Sequence, residues 1–280
     1  MKVAVLQMVS ATALEANLAA ALVLLHEAAN SGAEIAVLPE YFCILGRRDT
    51  DKLAIQERFG AGPIQEFLAG TAQRLGLWVV GGTLPVSIEG GADVGQVAQP
   101  DKVTNTSLVF APDGHCAARY DKIHLFRFDN GVERFDESRV LAAGSTPSMF
   151  ELPSRDGHTW RIGLSVCYDL RFPELYRGYA KEGADLLLAP SAFTYVTGQA
   201  HWELLLRARA VENQAFVAAS AQGGRHENGR TTWGHSMLVG PWGEVLAVRE
   251  AGAGVVCADL DVAQRRLAQT KIPALEHRVL

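Results

Sequence analysis

The sequence predicts an α/β protein, a four-layer αββα sandwich made of two similar αβ halves. Runs rich in Val, Ile and Leu alternate with stretches rich in Ala, Leu and Glu, the pattern of buried strands interleaved with helices. The chain also resembles itself. Lys2 to Met8 (KVAVLQM) matches Arg161 to Cys167 (RIGLSVC), and Gly32 to Phe42 matches Gly183 to Phe193, with Pro39 over Pro190. Leu77 to Thr83 matches Ala215 to Ala221, and Thr106 to Gly114 matches His235 to Gly243, all in the same order. A single match could be chance, because buried strands share a vocabulary, but four in order describe two related halves. Each half would be a sheet with helices on one face, and the two bare faces would bury against each other.

Lys2 to Met8 reads as the first strand. Leu14 to Ser31 reads as a helix closed by Gly32, with the buried strand Ile35 to Pro39 after it. Gly62 to Leu75 is a second helix, and Leu77 to Leu84 the strand that follows. Thr106 to Phe110 and His115 to Tyr120 flank Pro112-Asp113-Gly114, a hairpin with turn chemistry in its loop. Phe126 to Pro153 is the one long irregular stretch. Arg161 to Cys167 is a strand closed by the cysteine, and Asp169 to Glu174 opens a helix. Between Trp202 and Gln214 the helical spacing assigns Leu204, Leu205, Ala208 and Val211 to the core. No linker rich in Pro, Gly or Ser divides the chain, so residues 1–280 are expected to form a single domain.

The composition excludes several classes of function. The 280 residues carry a formal net charge of −5, without the basic stripe that nucleic acid requires. The N-terminal MKVAVLQMVS has one Lys and no small-residue cleavage site, which argues for a strand rather than a signal peptide. Every apolar run falls well short of about 20 residues, so no membrane span is expected. The four cysteines, Cys43, Cys116, Cys167 and Cys257, are scattered with no C-x-x-C between them, which fits neither a disulfide framework nor a zinc ribbon. The expectation is a cytoplasmic protein without metal or cofactor.

Three reactive side chains sit where buried strands end, the places where ligand sites collect in α/β architecture. Glu40 follows a strand and a proline in LPEYF, Lys122 follows the hairpin in YDKIHLF, and Cys167 closes a strand in SVCYDLRFPEL. Each has a bland reading: a surface carboxylate or helix cap for Glu40, a solvated lysine beside Asp121 for Lys122, a packed core residue like Met8 for Cys167. Together they make a complete hydrolytic set. A thiol is mostly protonated at neutral pH and needs a base or a cation nearby. A carboxylate can take its proton, and an ammonium can hold the oxyanion formed when sulfur attacks an amide.

These three motifs resemble those of the nitrilase superfamily, and the resemblance runs from VAVLQM to Ile272-PALEHR. It implies an αββα sandwich and a Glu-Lys-Cys triad of Glu40, Lys122 and Cys167 that hydrolyses carbon–nitrogen bonds. It also implies a second glutamate near the lysine. Glu137, in DESRVLAAGS, matches that position better than Glu133, because the Glu-Ser pair followed by Gly144 is the recognisable part. The segment between Glu137 and Cys167 is a few residues longer than usual, around a hairpin at Asp156-Gly157. By the same resemblance Tyr168 supplies a backbone N–H to the oxyanion, and the chain assembles as a homodimer or a higher homo-oligomer.

The segments Ser191-AFTYVTGQAHWELLLRARAVENQ and Ala221-QGGRHENGRTTWGHSMLVGPWGE look like the Nit-type branch, which acts on amides of small 2-oxo acids. The resemblance implies a small-molecule amide substrate cleaved to acid and ammonia. Deaminated glutathione amidase is favoured over ω-amidase acting on α-ketoglutaramate; a true nitrilase or another aliphatic amidase is less well supported, and a scaffold or thiol sensor would not need the full triad. Arg171, one helical turn past the nucleophile, could pair with a substrate carboxylate or form a structural ion pair with Glu174 or Glu203. Phe193 and Thr197 are candidate pocket residues. His201 and His235 are read as structural.

Overall fold

A computed structural model describes residues 1–88, 99, 101–129, 131 and 134–279. In its first half, β1 (Lys2–Gln7), β2 (Ile35–Val37) and β3 (Trp78–Val80) are parallel, with α1 (Leu14–Asn30) and α2 (Pro63–Leu75) as crossovers. Then come β4 (Leu84–Ser87), the long β5 (Val103–Phe110) and β6 (Cys116–Asp121), with β5 antiparallel to β3, β4 and β6. The short hairpin β7 (Arg127–Asp129) and β8 (Arg134–Asp136) stands apart, while β9 (Leu141–Ala142) pairs with β5.

The second half repeats this plan. Strands β10 (Met149–Pro153) and β11 (Thr159–Leu164) form an antiparallel hairpin whose turn contains Asp156-Gly157. From β11 the chain runs through α3 (Pro173–Lys181), β12 (Leu186–Leu188), α4 (Tyr195–Asn213) and β13 (Phe216–Ala219), with the three strands parallel. Strands β14 (Gly223–Arg225) and β15 (Thr231–Trp233) form a separate ribbon, and β16 (Ser236–Val239) and β17 (Val245–Arg249) complete the sheet. Finally β18 (Gly254–Asp259) returns to pair antiparallel with β1, ahead of α5 (Val262–Lys271). Each sheet thus has three parallel strands followed by antiparallel ones, as the internal repeat implies.

Side-chain alternation builds the layers. In β1, Val3 and Val5 enter the core between the sheets, while Ala4 and Leu6 pack with Leu24, Leu25 and Ala28 of α1. In β2, Ile35 and Val37 face one way and Ala36 and Leu38 the other. Strands buried on both faces read as unbroken apolar runs, which is why these segments show no polar stripe. Strands β1 and β18 lie against β13, β16 and β17, giving helix, sheet, sheet, helix.

Three sequence expectations need correction. Leu204 and Val211 are exposed, at 68% and 50%, and Ala208 is only partly buried, while the partly buried Leu205 does pack against the core; the buried residues of α4 in this run are Trp202, Leu206, Arg209, Ala210 and Asn213. Leu204 and Val211 stand seven positions apart on the opposite side of the helix, a spacing that satisfies helical periodicity equally well. The run Leu77 to Leu84 is two strands, broken at Gly81-Gly82, where a Cβ on Gly82 would fall 2.0 Å from the Pro39 carbonyl oxygen. Phe126 to Pro153 holds three short strands, the whole of β10 and a 3₁₀ turn at Glu137–Arg139 rather than plain loop. Glu133 lies outside the described residues.

Candidate active site

The sites flagged in the sequence converge at the carboxyl ends of the strands. Glu40 lies three residues beyond β2, Lys122 directly follows β6, and Cys167 three residues beyond β11 opens a 3₁₀ turn, Cys167–Arg171. Cys167 has a φ of 49°, a region that side chains other than glycine adopt only under local constraint. The constraint is visible: the Cys167 N–H donates to the Pro190 carbonyl at 3.0 Å, and Val166 N–H to Asp169 Oδ2 at 2.8 Å. The Lys122 backbone is pinned on both sides, donating to the Asn105 carbonyl and accepting from Gly144 N–H at 2.9 Å. A Cβ at Gly144 would lie 2.2 Å from the Asp121 carbonyl oxygen, so only glycine fits this close approach.

Lys122 is fully buried between two carboxylates. Its Nζ lies 2.9 Å from Glu40 Oε1 and 3.0 and 2.8 Å from the two oxygens of Glu137. Asn105 Nδ2 donates to Glu40 Oε1 at 2.9 Å. Glu137 also accepts from the Tyr41 hydroxyl and from Phe126 N–H, each at 2.7 Å. Gln222 Nε2 holds the Glu40 backbone carbonyl at 3.1 Å and so links the two halves behind the site.

Protonation follows from this burial. Desolvation lifts Glu40 above the usual carboxylate value against the pull of Lys122. Burial also works against the Lys122 charge, but Glu137 and Glu40 outweigh it and hold the ammonium well above 10.5. Burial, then the neighbouring Glu40, drives the Cys167 thiol well above its ordinary value, with Lys122 pulling the other way. Both shifts favour a neutral thiol at rest, with Glu40 and a permanently charged lysine as its neighbours. A carboxylate, an ammonium and a thiol thus share one buried site, the groups that a base, an oxyanion-stabilising cation and a nucleophile would require.

Asp169, fully buried, joins the parts. Its Oδ2 accepts from the Tyr120 hydroxyl at 2.7 Å as well as from Val166 N–H, and its Oδ1 takes His124 N–H at 3.0 Å and meets His124 Nδ1 at 2.7 Å. Nothing in the sequence singled it out beyond its place in the CYDLRF motif.

Above the thiol lies a pocket lined by Tyr168, Arg171, Phe193 and Thr197, all four anticipated, together with Glu40, Glu137 and Cys167. Arg171 lies over the Phe193 and Tyr168 rings at 5.4 and 5.9 Å, with His201 Nδ1 3.3 Å away. Among the described residues it pairs with neither Glu174 nor Glu203; Glu203 pairs with Arg207. His235 stacks on Trp233 and bonds its carbonyl, away from the thiol. Sequence reasoning missed Tyr41, Lys52 and Arg230, which also line the pocket. It missed Asn105 too, although an asparagine inside the buried strand VTNTSLVF was a readable signal. Among the described residues no cluster of His, Cys, Asp and Glu is arranged to hold a metal ion, and no helix is long and apolar enough to cross a membrane.

Such a strand-end arrangement within an αββα frame defines a thiol hydrolase class, and the sequence comparisons name it. Residues 2–270 match the family model for carbon-nitrogen hydrolases, and the chain belongs to that family, in the Nit branch of the nitrilase superfamily. It is 38% identical to a deaminated glutathione amidase of Synechocystis sp. over 99% of its length and 97% of that protein's. It is 39% identical to the omega-amidase NIT2 of Danio rerio, covering 94% of this chain and 88% of the other. The crystal structure of Saccharomyces cerevisiae Nit3, a member of branch 10 of the superfamily, superposes with a TM-score of 0.84 at 29% identity, covering 100% of this chain and 97% of that one. The protein is a carbon–nitrogen hydrolase with amidase function.

Proposed function

We propose that the enzyme hydrolyses the amide of a small 2-oxo acid, deaminated glutathione in preference to α-ketoglutaramate, through a thioester on Cys167. The observation that carries the chemistry is the buried Lys122 ammonium held between Glu40 and Glu137, two carboxylates that line one pocket with Cys167. Glu40 takes the thiol proton as sulfur attacks the amide carbon, and Lys122 with the Tyr168 backbone N–H holds the oxyanion. Protonated Glu40 then gives its proton to the departing amine. It next takes a proton from water, whose hydroxide cleaves the thioester, and the acid and the free thiol are released. Glu137 orients Lys122 and keeps it charged.

Arg171, free of a carboxylate partner among the described residues, would take the carboxylate of the 2-oxo acid, with Phe193 and Thr197 shaping that wall. The run Ala221-Gln-Gly-Gly-Arg-His and the Phe-Thr-x-x-Thr-Gly loop favour deaminated glutathione. The two curated relatives are equally similar and do not separate the substrates. Deaminated glutathione would release a peptide amine rather than ammonia, so the released acid is the proper common readout. Comparing kcat/KM on deaminated glutathione and α-ketoglutaramate tests the choice; a clear preference for the latter overturns it and leaves the chemistry intact. We further assign a cytoplasmic location and a homo-oligomeric state, for which the exposed Leu204 and Val211 of α4 offer an apolar face. Sedimentation analysis giving only monomer would reject the latter.

A further inference from the structure

The pocket holds three cations, Lys52, Arg171 and Arg230, and they are not equivalent. Arg230 is satisfied by Asp49 at 3.2 Å and by the Phe135 ring 5.1 Å below it. Arg171 stands on the second-half wall and is assigned above to the carboxylate of the acyl part. Lys52, on the 3₁₀ turn Asp49–Ile55 of the first half, is the one left over. Its Nζ makes a single long hydrogen bond, 3.5 Å to the Asp49 carbonyl, and sits 4.8 Å from the centre of the Tyr41 ring. No carboxylate pairs with it among the described residues. A partly buried ammonium served by a ring face and one long contact is an anion site waiting for its ligand. Burial already depresses its pKa, against the pull of Asp49, Glu137 and Glu40.

Its position says which end of a substrate it meets. Tyr41, under the ammonium, directly follows Glu40, and its hydroxyl is held by Glu137. In the mechanism proposed above Glu40 protonates the departing amine, which assigns the leaving group to the wall built by Tyr41 and Lys52 of the first half rather than to Arg171 of the second. We propose that Lys52 recognises a carboxylate carried by the departing amine, so that the preferred substrate is an N-substituted, peptide-like amide with an anionic group at each end. This rests on the amide-hydrolysis reading above and narrows it. A primary amide, which releases ammonia, would leave Lys52 idle.

Three compounds test it: deaminated glutathione, the same molecule with its terminal carboxylate converted to a carboxamide, and α-ketoglutaramate. The native enzyme should prefer the acid over the carboxamide by about 10- to 100-fold in kcat/KM, the worth of a hydrogen bond to a charged group. Lys52→Met keeps the aliphatic stem and removes the charge, and should bring that ratio towards unity while α-ketoglutaramate loses least; Lys52→Arg should restore the preference. A native enzyme indifferent to the terminal carboxylate overturns the inference. So does a Lys52→Met enzyme that loses the same factor on all three compounds, which would mark Lys52 as structural. Failure of the native enzyme to cleave either peptide amide would instead reject the substrate assignment, and this inference with it.

Discussion

Tyr120 donates a 2.7 Å hydrogen bond to Asp169 in the interior, and through it the strand that leads into Lys122 is tied to the turn that opens at Cys167. The same carboxylate holds Val166 N–H and both nitrogens offered by His124, whose ring stacks on Phe172 at 3.6 Å. Asp169 therefore sets the spacing between thiol and ammonium without touching either. Asp169→Asn replaces one acceptor oxygen by an NH₂ group facing donors, and should cost about 1–3 kcal/mol of stability. We expect kcat to fall with KM little changed, measured beside the urea midpoint. Full kcat in a merely less stable protein would reduce Asp169 to a packing role.

Cys167→Ala and Lys122→Ala should both abolish useful turnover yet differ in stability. The first removes the nucleophile from a site whose ion pairs remain, so the fold should be unaffected; retained activity would sink the thioester scheme. The second removes the proposed oxyanion donor, for which a loss of about 100- to 1000-fold is expected. It also leaves Glu40 and Glu137 facing each other without their cation, a defect worth about 3–5 kcal/mol in buried pairs. Thermal unfolding of the two variants side by side tests the contrast.

Burial lifts Glu40 above 4.5, and in its proposed role as the base it must be ionised. The acid limb of kcat/KM should therefore lie above 4.5, with activity rising as pH rises through it. For stability the sign is opposite: between 4.5 and the raised value the folded state binds the extra proton, so the contribution of Glu40 is full below 4.5 and is lost as pH rises. Asn105→Ala removes a 2.9 Å donor from the carboxylate, raises its pKa further, and should move the acid limb to higher pH. An unmoved limb would assign it to another group.

His226 acts in the other direction. Its Nδ1 donates to the Ser10 carbonyl at 3.0 Å, and its Nε2 lies 2.7 Å from the Thr232 hydroxyl. Burial lowers its pKa below 6.5. Between that lowered value and 6.5 the unfolded chain binds more protons, so stability rises with pH across the window and is lost as pH falls through it. Urea midpoints taken across this window should show the slope, and His226→Gln should flatten it; an equal slope in the variant would exonerate His226.

Much of the architecture was legible because strand periodicity and turn chemistry are local. The four repeated segments named both sheets, and the motifs around Glu40, Lys122 and Cys167 marked three strand ends. The misassigned face of α4 shows where local pattern stops. Leu204 and Val211 satisfy the same 3.6-residue period as Leu206 and Ala210, and only the partner sheet decides which stripe is buried. Likewise Lys52, Arg230 and Asp169 have no local signature, because their roles lie in distances to residues far along the chain.

By itself the sequence determined the α/β class and the duplicated halves, and it marked the candidate reactive groups. The tertiary structure alone decided that Glu40 and Lys122, 82 positions apart, meet at 2.9 Å in the interior. It also left Lys52 with no carboxylate partner among the described residues, only the Asp49 carbonyl and the Tyr41 ring. Residue types and their local pattern are written in order along the chain, whereas a buried charge takes its properties from whatever neighbours folding brings to it.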